Sequence, residues 1–254
     1  MDPARPDAPG APAPAAARGP ARLYCVPTPI AAGRPLEADL PASAIAIVAA
    51  IDYVVAEHAK TARAFLGRLP LARPIREIEI VELNEHTRED AIEPMLDPLR
   101  AGRDAALVSE AGCPGVADPG ARLVLAAHRA GIPVEPLVGP SALLLALMGS
   151  GLNGQCFGFA GYLPTDAEAR RRRLLELEQR SRRGRETVLF IETPYRNQAM
   201  FDALAATLQP GTWLCVAADL GGARQRLETE RIEGWRRRRP ALDKVPTVFL
   251  LLAE

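Results

Sequence analysis

From Leu23 onward, short apolar runs alternate with segments of helical periodicity. The runs Leu23–Val26, Tyr53–Ala56, Ala105–Ser109 and Pro133–Val138 read as strands, and Ile75–Leu83 alternates apolar with acidic residues, the period of a half-buried strand. Between them, Ala42–Ala50, Lys60–Leu69, Thr87–Arg100, Ala121–Ala130 and Ser141–Met148 read as helices. Thr87 is a candidate cap for its helix, with Asp90 three residues on. Asp118-Pro119-Gly120 resembles a capped start for the next, with Pro in the first turn. Strands Phe157–Tyr162, Thr187–Ile191, Trp213–Ala218, Arg226–Ile232 and Val245–Leu252 follow. Among them lie an arginine-rich helix opened by Thr165-Asp166-Ala167-Glu168 and a helix over Asn197–Leu208.

Strands alternating with helices predict an α/β fold. Gly149–Gly154, rich in small residues, marks a boundary between two α/β domains, 22–148 and 149–254, with a cleft between them. Residues 1–21 are read as a disordered leader, because the first twenty hold six prolines and seven alanines and almost no large apolar residue. The Gly149–Gly154 run also matches the dinucleotide pattern G-x-G-x-x-G. That mechanism needs a strand before the glycines and a helix after them, so that a helix N-terminus meets the pyrophosphate. Here the order is reversed, and the run is read as a helix stop and linker.

Composition narrows the classes. The chain of 254 residues is 48% hydrophobic and 24% charged, with 31 basic and 31 acidic side chains, which excludes disorder throughout. Its longest apolar stretches fall well short of the ~20 residues that cross a bilayer, and neither end reads as a secretory signal. Four widely spaced cysteines without a Cys-x-x-Cys, and only three histidines, predict free thiols, no metal site and a cytoplasmic protein. Charge is uneven: residues 1–164 carry 14 basic and 18 acidic side chains, and the remainder 17 and 13. A more basic second half suits either a polyanion or plain solvation.

Candidate chemistry concentrates in Ser109-Glu110-Ala111-Gly112-Cys113-Pro114-Gly115-Val116-Ala117-Asp118-Pro119-Gly120. This stretch follows a buried strand at its carboxyl end, where open α/β sheets place ligands. Its small residues let main-chain groups touch a ligand directly. Read with Leu23–Ile30, Ala56-Glu57 and the basic residues after it, Glu85-His86, Gly139-Pro140-Ser141-Ala142, Ser150-Gly151-Leu152, Gly161-Tyr162-Leu163-Pro164 and Glu192-Thr193-Pro194-Tyr195-Arg196, it resembles one family in order and over about residues 23–250. That family is the tetrapyrrole-methylase superfamily of S-adenosylmethionine (SAM) methyltransferases. The similarity is greatest to the branch that methylates a ribose 2′-hydroxyl of bacterial small-subunit ribosomal RNA.

The resemblance implies two α/β domains of the tetrapyrrole-methylase type, usually a homodimer, with SAM in the interdomain cleft. It places the cofactor against Pro27, Thr28 and Pro29, Ser109, Glu110, Ala111 and Gly112, Pro140, Ser141 and Ala142, Tyr162 and Leu163, and Ala217, Ala218 and Leu220. The chain departs from the branch on the substrate side. Glu57-His58-Ala59-Lys60 stands for Glu-Asp-Thr-Arg, Glu110 for Asp, Cys113 for Thr, and Ala218-Asp219-Leu220-Gly221-Gly222 for Arg-Glu-Leu-Thr-Lys.

Methyl transfer to a hydroxyl needs alignment, exclusion of water and a base for the hydroxyl proton. A neutral imidazole suits that role near pH 7. His86, beside Glu85, is the first candidate, and Glu57 with His58 the second; His128, within a helix, is read as a packing or surface residue. Lys60, Arg63, Asp118 and Arg196 are candidates for substrate contact, although Arg196 could equally pair with Glu192. Three functions remain open on these grounds: an RNA ribose methyltransferase, a methyltransferase of a small molecule such as a tetrapyrrole, and a non-catalytic SAM-binding protein.

Overall fold

The computed structural model describes residues 20–242 and 244–254. All but the last two residues of the expected leader lie outside that range.

The first half builds a five-stranded parallel sheet in the order β3-β2-β4-β1-β5. Its strands are β1 (Leu23–Val26), β2 (Tyr53–Ala56), β3 (Glu79–Glu82), β4 (Ala105–Val108) and β5 (Val134–Pro136). The central strands β2 and β4 are buried at every position, as their unbroken apolar runs require in a sheet covered on both faces. Helices α1 (Ala42–Ala50) and α2 (Ala59–Leu66) cover one face, with Val48, Phe65 and Leu66 packed on Val26, Val54 and Val108. On the other face, Met95, Leu96 and Leu99 pack with Leu123 and Ala127 on Val55 and Leu107.

The stretch expected as one helix over Thr87–Arg100 is instead two 3-10 turns followed by α3 (Asp97–Arg100). Pro94 and Pro98 lack the N–H that a continuous helix would use. Thr87 caps no helix, and its hydroxyl accepts from the Asn84 N–H. Asp118 likewise caps no helix: α4 (Ala121–Arg129) starts after Gly120, and Asp118 binds the N–H groups of Gly115 and Gly120.

The second half builds a mixed sheet in the order β6-β7-β10-β8-β9. Its strands are β6 (Phe157–Tyr162), β7 (Thr187–Ile191), β8 (Trp213–Ala218), β9 (Arg226–Arg231) and β10 (Thr247–Leu252). Only β6 and β7 run parallel. Helices α6 (Ala167–Gly184), α7 (Asn197–Thr207) and α8 (Ile232–Trp235) bury Leu174, Leu177, Phe201, Leu204 and Trp235 against one face. Asp166 caps α6 by accepting from the Ala169 N–H, taking the position that the sequence pattern gives to Thr165.

The other face is covered by α5 (Ala142–Ser150), the helix that follows the last strand of the first sheet. Ala146 and Leu147 pack on Leu189, Cys215 and Leu250, so α5 joins the two halves. The glycine run behaves as a stop: Gly151 is left-handed at φ 71°, and Gly149 lets Leu227 of β9 approach so closely that a Cβ would lie 2.5 Å from it. Among the described residues no helix is long and apolar enough to cross a membrane.

Candidate active site

Between the two sheets lies a cavity of about 420 Å³, a size that suits a drug-sized or cofactor-sized ligand. It opens at the carboxyl ends of the parallel strands. Its floor is the segment after β4, where Ser109, Glu110, Ala111, Gly112 and Cys113 line it consecutively. That ledge is fixed by main-chain pairing with the segment after β1. The Thr28 N–H donates to the Gly112 carbonyl at 2.9 Å, and the Gly112 N–H donates to the Thr28 carbonyl at 3.0 Å. The Thr28 hydroxyl donates to the Ser109 carbonyl and the Ser109 hydroxyl to the Gly112 carbonyl. Gly112 sits at φ 77°, a conformation that L side chains rarely adopt. The Cys113 thiol donates to the Pro140 carbonyl, tying the ledge to the segment before α5.

The opposite wall comes from the second sheet: Phe159 and Tyr162 of β6, Ile191 of β7, Ala217 of β8, and Val248 of β10 with Pro246 and Thr247 before it. Leu220, Ser141, Ala142 and Leu143 complete it. The two halves also touch directly, where the Arg34 guanidinium donates to the Gly221 carbonyl at 3.1 Å.

Of the residues expected at the cofactor, Ser109, Glu110, Ala111, Gly112, Ser141, Ala142, Tyr162, Ala217 and Leu220 line the cavity. Pro27, Thr28, Pro29 and Pro140 are not in the lining, and Thr28 and Pro140 brace the ledge through the bonds above. Pro27 packs so tightly on Gly139 that a Cβ there would lie 2.4 Å away. Leu163 and Ala218 point into the core beneath α6 and α7. Strand pleating explains the split: successive side chains face opposite sides, so Ala217 reaches the cavity and Ala218 does not. Sequence reasoning missed Ile30, Phe159 and Pro246–Val248. Ile30 ends the Leu23–Ile30 motif, whereas the start of β10 carries no signal beyond a closing strand.

The candidate bases separate clearly. His86 and Glu85 lie outside the cavity lining; their side chains are 85% exposed and sit 3.5 Å apart. The His86 N–H closes a turn on the Asn84 side-chain oxygen, which accounts for its position. Glu57, at the end of β2, lines the cavity. Burial and the neighbouring carboxylates Asp118 and Glu110 push its carboxyl above the ordinary range; His58 opposes this, and Glu85 adds slightly to it. Asp118 is also raised, by burial, against the lowering effect of the Gly115 and Gly120 N–H groups that it binds. Lys60 and Arg63 are exposed, three residues apart on α2, and are not in the lining. Arg196 is paired with Glu192, a buried carboxylate that also accepts from the Thr193 N–H and faces the cavity.

A model of the Tetrapyrrole (Corrin/Porphyrin) Methylases matches residues 22–234. The chain belongs to that family. The family uses SAM as its methyl donor. The chain is 38% identical over 190 residues to "Ribosomal RNA small subunit methyltransferase I" of Micromonospora olivasterospora, covering 75% of this chain and 56% of that relative. It is 34% identical over 174 residues to the protein of the same name from Vibrio cholerae, again covering 56% of the relative and 68% of this chain. The chain thus spans little more than half the length of these curated relatives. Among solved structures, the methyltransferase CobJ matches with a TM-score of 0.60 at 20% identity, covering 93% of this chain and 95% of the other. Uroporphyrin-III-C-methyltransferase from Thermus thermophilus matches at 0.51, also at 20% identity, covering 92% of this chain and 93% of the other. These two likenesses concern the fold alone.

The cavity fits the family's donor. Its floor offers main-chain groups at a left-handed glycine, its walls are apolar, and its charged lining among the described residues is acidic, which suits a cationic ligand.

Proposed function

We propose that this protein is a SAM-dependent methyltransferase acting on a ribose 2′-hydroxyl of ribosomal RNA. The observation that carries the reading is the cavity between the two sheets, floored by the main chain of Ser109–Cys113. The acceptor class is supported by the names of the relatives at 34–38% identity.

When bound, SAM supplies a methyl carbon on a sulfonium, and the carbon–sulfur bond breaks onto sulfur as the carbon–oxygen bond forms. The chain's own work is positioning and proton handling. The braced Ser109–Gly112 ledge holds the donor in a fixed orientation, because its hydrogen bonds to Thr28 leave it little freedom. The apolar walls from Phe159, Ile191 and Val248 keep bulk water from the reacting centre. Glu57 takes the acceptor hydroxyl proton, and its raised carboxyl brings its basicity closer to that task. Asp118 holds the Gly115–Gly120 turn in shape beneath the cavity. Lys60 and Arg63, on the helix that starts beside Glu57, are the phosphate contacts of the acceptor strand.

The protein works as a cytoplasmic homodimer in this reading, the exposed Leu144 and Met148, one turn apart on α5, being covered by a second copy. The test is transfer of tritiated methyl from SAM to ribosomal RNA lacking the modification, run beside a small-molecule extract. Label in the ribose of RNA supports the reading. Label in the extract alone moves the acceptor to a metabolite, and label in neither removes the catalytic assignment.

A further inference from the structure

Four carboxylates line the cavity, from Glu57, Glu110, Asp118 and Glu192, and among the described residues no lysine, arginine or histidine does. Glu192 is neutralised from behind by Arg196. The other three lie close enough together that Glu110 and Asp118 both act on Glu57 through their charge, and the exposed His58 opposes them there. Among the described residues no three His, Cys, Asp or Glu side chains gather to hold a metal ion. Clefts lined by one sign of charge and low-dielectric walls focus their field inward.

We propose that Glu57, Glu110 and Asp118 select the methyl donor by charge, favouring the sulfonium form and expelling the neutral thioether left after transfer. This rests on the cavity being the SAM site. SAM and S-adenosylhomocysteine share the adenosine and the amino acid, and differ by one methyl group and one full positive charge. Main-chain contacts to the adenosine and the amino acid are common to both. A net negative lining separates them by charge, in the direction that clears product. The same lining excludes RNA phosphates from the cavity, so an acceptor strand enters with a ribose hydroxyl leading and its phosphates outside.

Titration calorimetry on the intact protein reads this without turnover. The ligands are SAM, S-adenosylhomocysteine and sinefungin, whose amine places a cation where the sulfonium stands. The parent protein binds SAM and sinefungin more tightly than S-adenosylhomocysteine, and the difference shrinks as salt rises. Glu110→Gln and Asp118→Asn each lower that preference by roughly threefold to fivefold, the scale of one charge a few ångströms away at the screening of bulk water. Asn at 118 keeps an oxygen for the Gly115 and Gly120 N–H groups, and Glu110 is exposed, so both variants fold; circular dichroism checks this. Equal affinity for all three ligands, or a preference unchanged in both variants, overturns charge selection while leaving the SAM site intact. Binding of none of them overturns the site, and charge selection with it.

Discussion

Thr28 and Gly112 exchange both of their main-chain hydrogen bonds, at 2.9 and 3.0 Å, although 84 residues separate them in the chain. This pair joins the segments that leave β1 and β4, adjacent strands of the parallel sheet, and turns two loops into one rigid ledge. A donor held by main-chain atoms needs such rigidity, since no side-chain rotamer can correct a misplaced backbone.

Gly112 is therefore sensitive. A Cβ there finds ordinary space, 3.5 Å from Ile30 and 3.7 Å from the Pro140 carbonyl, but φ of 77° strains any L residue. Gly112→Ala should cost about 1–2 kcal/mol of stability in urea denaturation, and should weaken SAM binding by more than stability alone explains. Unchanged SAM affinity would separate the ledge from the donor.

Gly139 tests the brace behind the ledge. A Cβ would meet Pro27 at 2.4 Å, with no flexible side chain to move aside. Gly139→Ala should lower stability by about 1–3 kcal/mol, the range for overpacking. Gly154 has open space around it and no left-handed φ, so Gly154→Ala should leave the urea midpoint almost unchanged.

Glu57→Gln should lower the rate constant for methyl transfer by about 10²–10⁴-fold while RNA affinity stays within a few-fold. Because burial and Asp118 raise the Glu57 carboxyl, the parent rate should climb with pH through a value above that of a free glutamate and then level off. The stability linkage has the opposite sign. A carboxyl raised in the folded state favours folding at acid pH, and that advantage is lost as pH rises through the folded value. Glu57→Gln should accordingly be at least as stable as the parent at neutral pH, measured by thermal unfolding across pH. Loss of rate accompanied by loss of fold would contradict the assignment.

Removing Arg196 strands the buried Glu192 carboxylate beside the cavity. Arg196→Ala should destabilise by about 1–3 kcal/mol, and Arg196→Lys by less, since a charge is retained. If Arg196→Ala left the midpoint of urea denaturation in place, the pair would be no part of the wall.

Much of the fold is legible because the inner strands of both sheets are largely apolar runs. Leu23–Val26, Tyr53–Ala56, Phe157–Tyr162, Thr187–Ile191 and Trp213–Ala218 begin and end where the sequence pattern puts them. Periodicity failed over Thr87–Arg100, where apolar spacing suggested a helix that Pro94 and Pro98 forbid. It was also silent on long-range placement: the apolar α5 reads as a helix, but nothing local says that it lies on the second sheet. At the site, the glycine-rich Ser109–Gly112 segment announced itself, because close main-chain approach demands small residues. Position along a pleated strand is harder to read, and the side chains of Ala218 and Leu163 pack in the core, which leaves only their main-chain groups for a ligand. Imidazole chemistry and a place in a loop after a strand, beside Glu85, favour His86 in the sequence, whereas its turn holds it in solvent and Glu57 faces the cavity.

The most direct measurement is a crystal structure of the protein grown with saturating SAM. The donor is expected on the Ser109–Gly112 ledge between the two sheets, with its methyl group turned toward Glu57. A donor seated elsewhere, or a cavity still filled only by solvent at saturating SAM, would contradict the account.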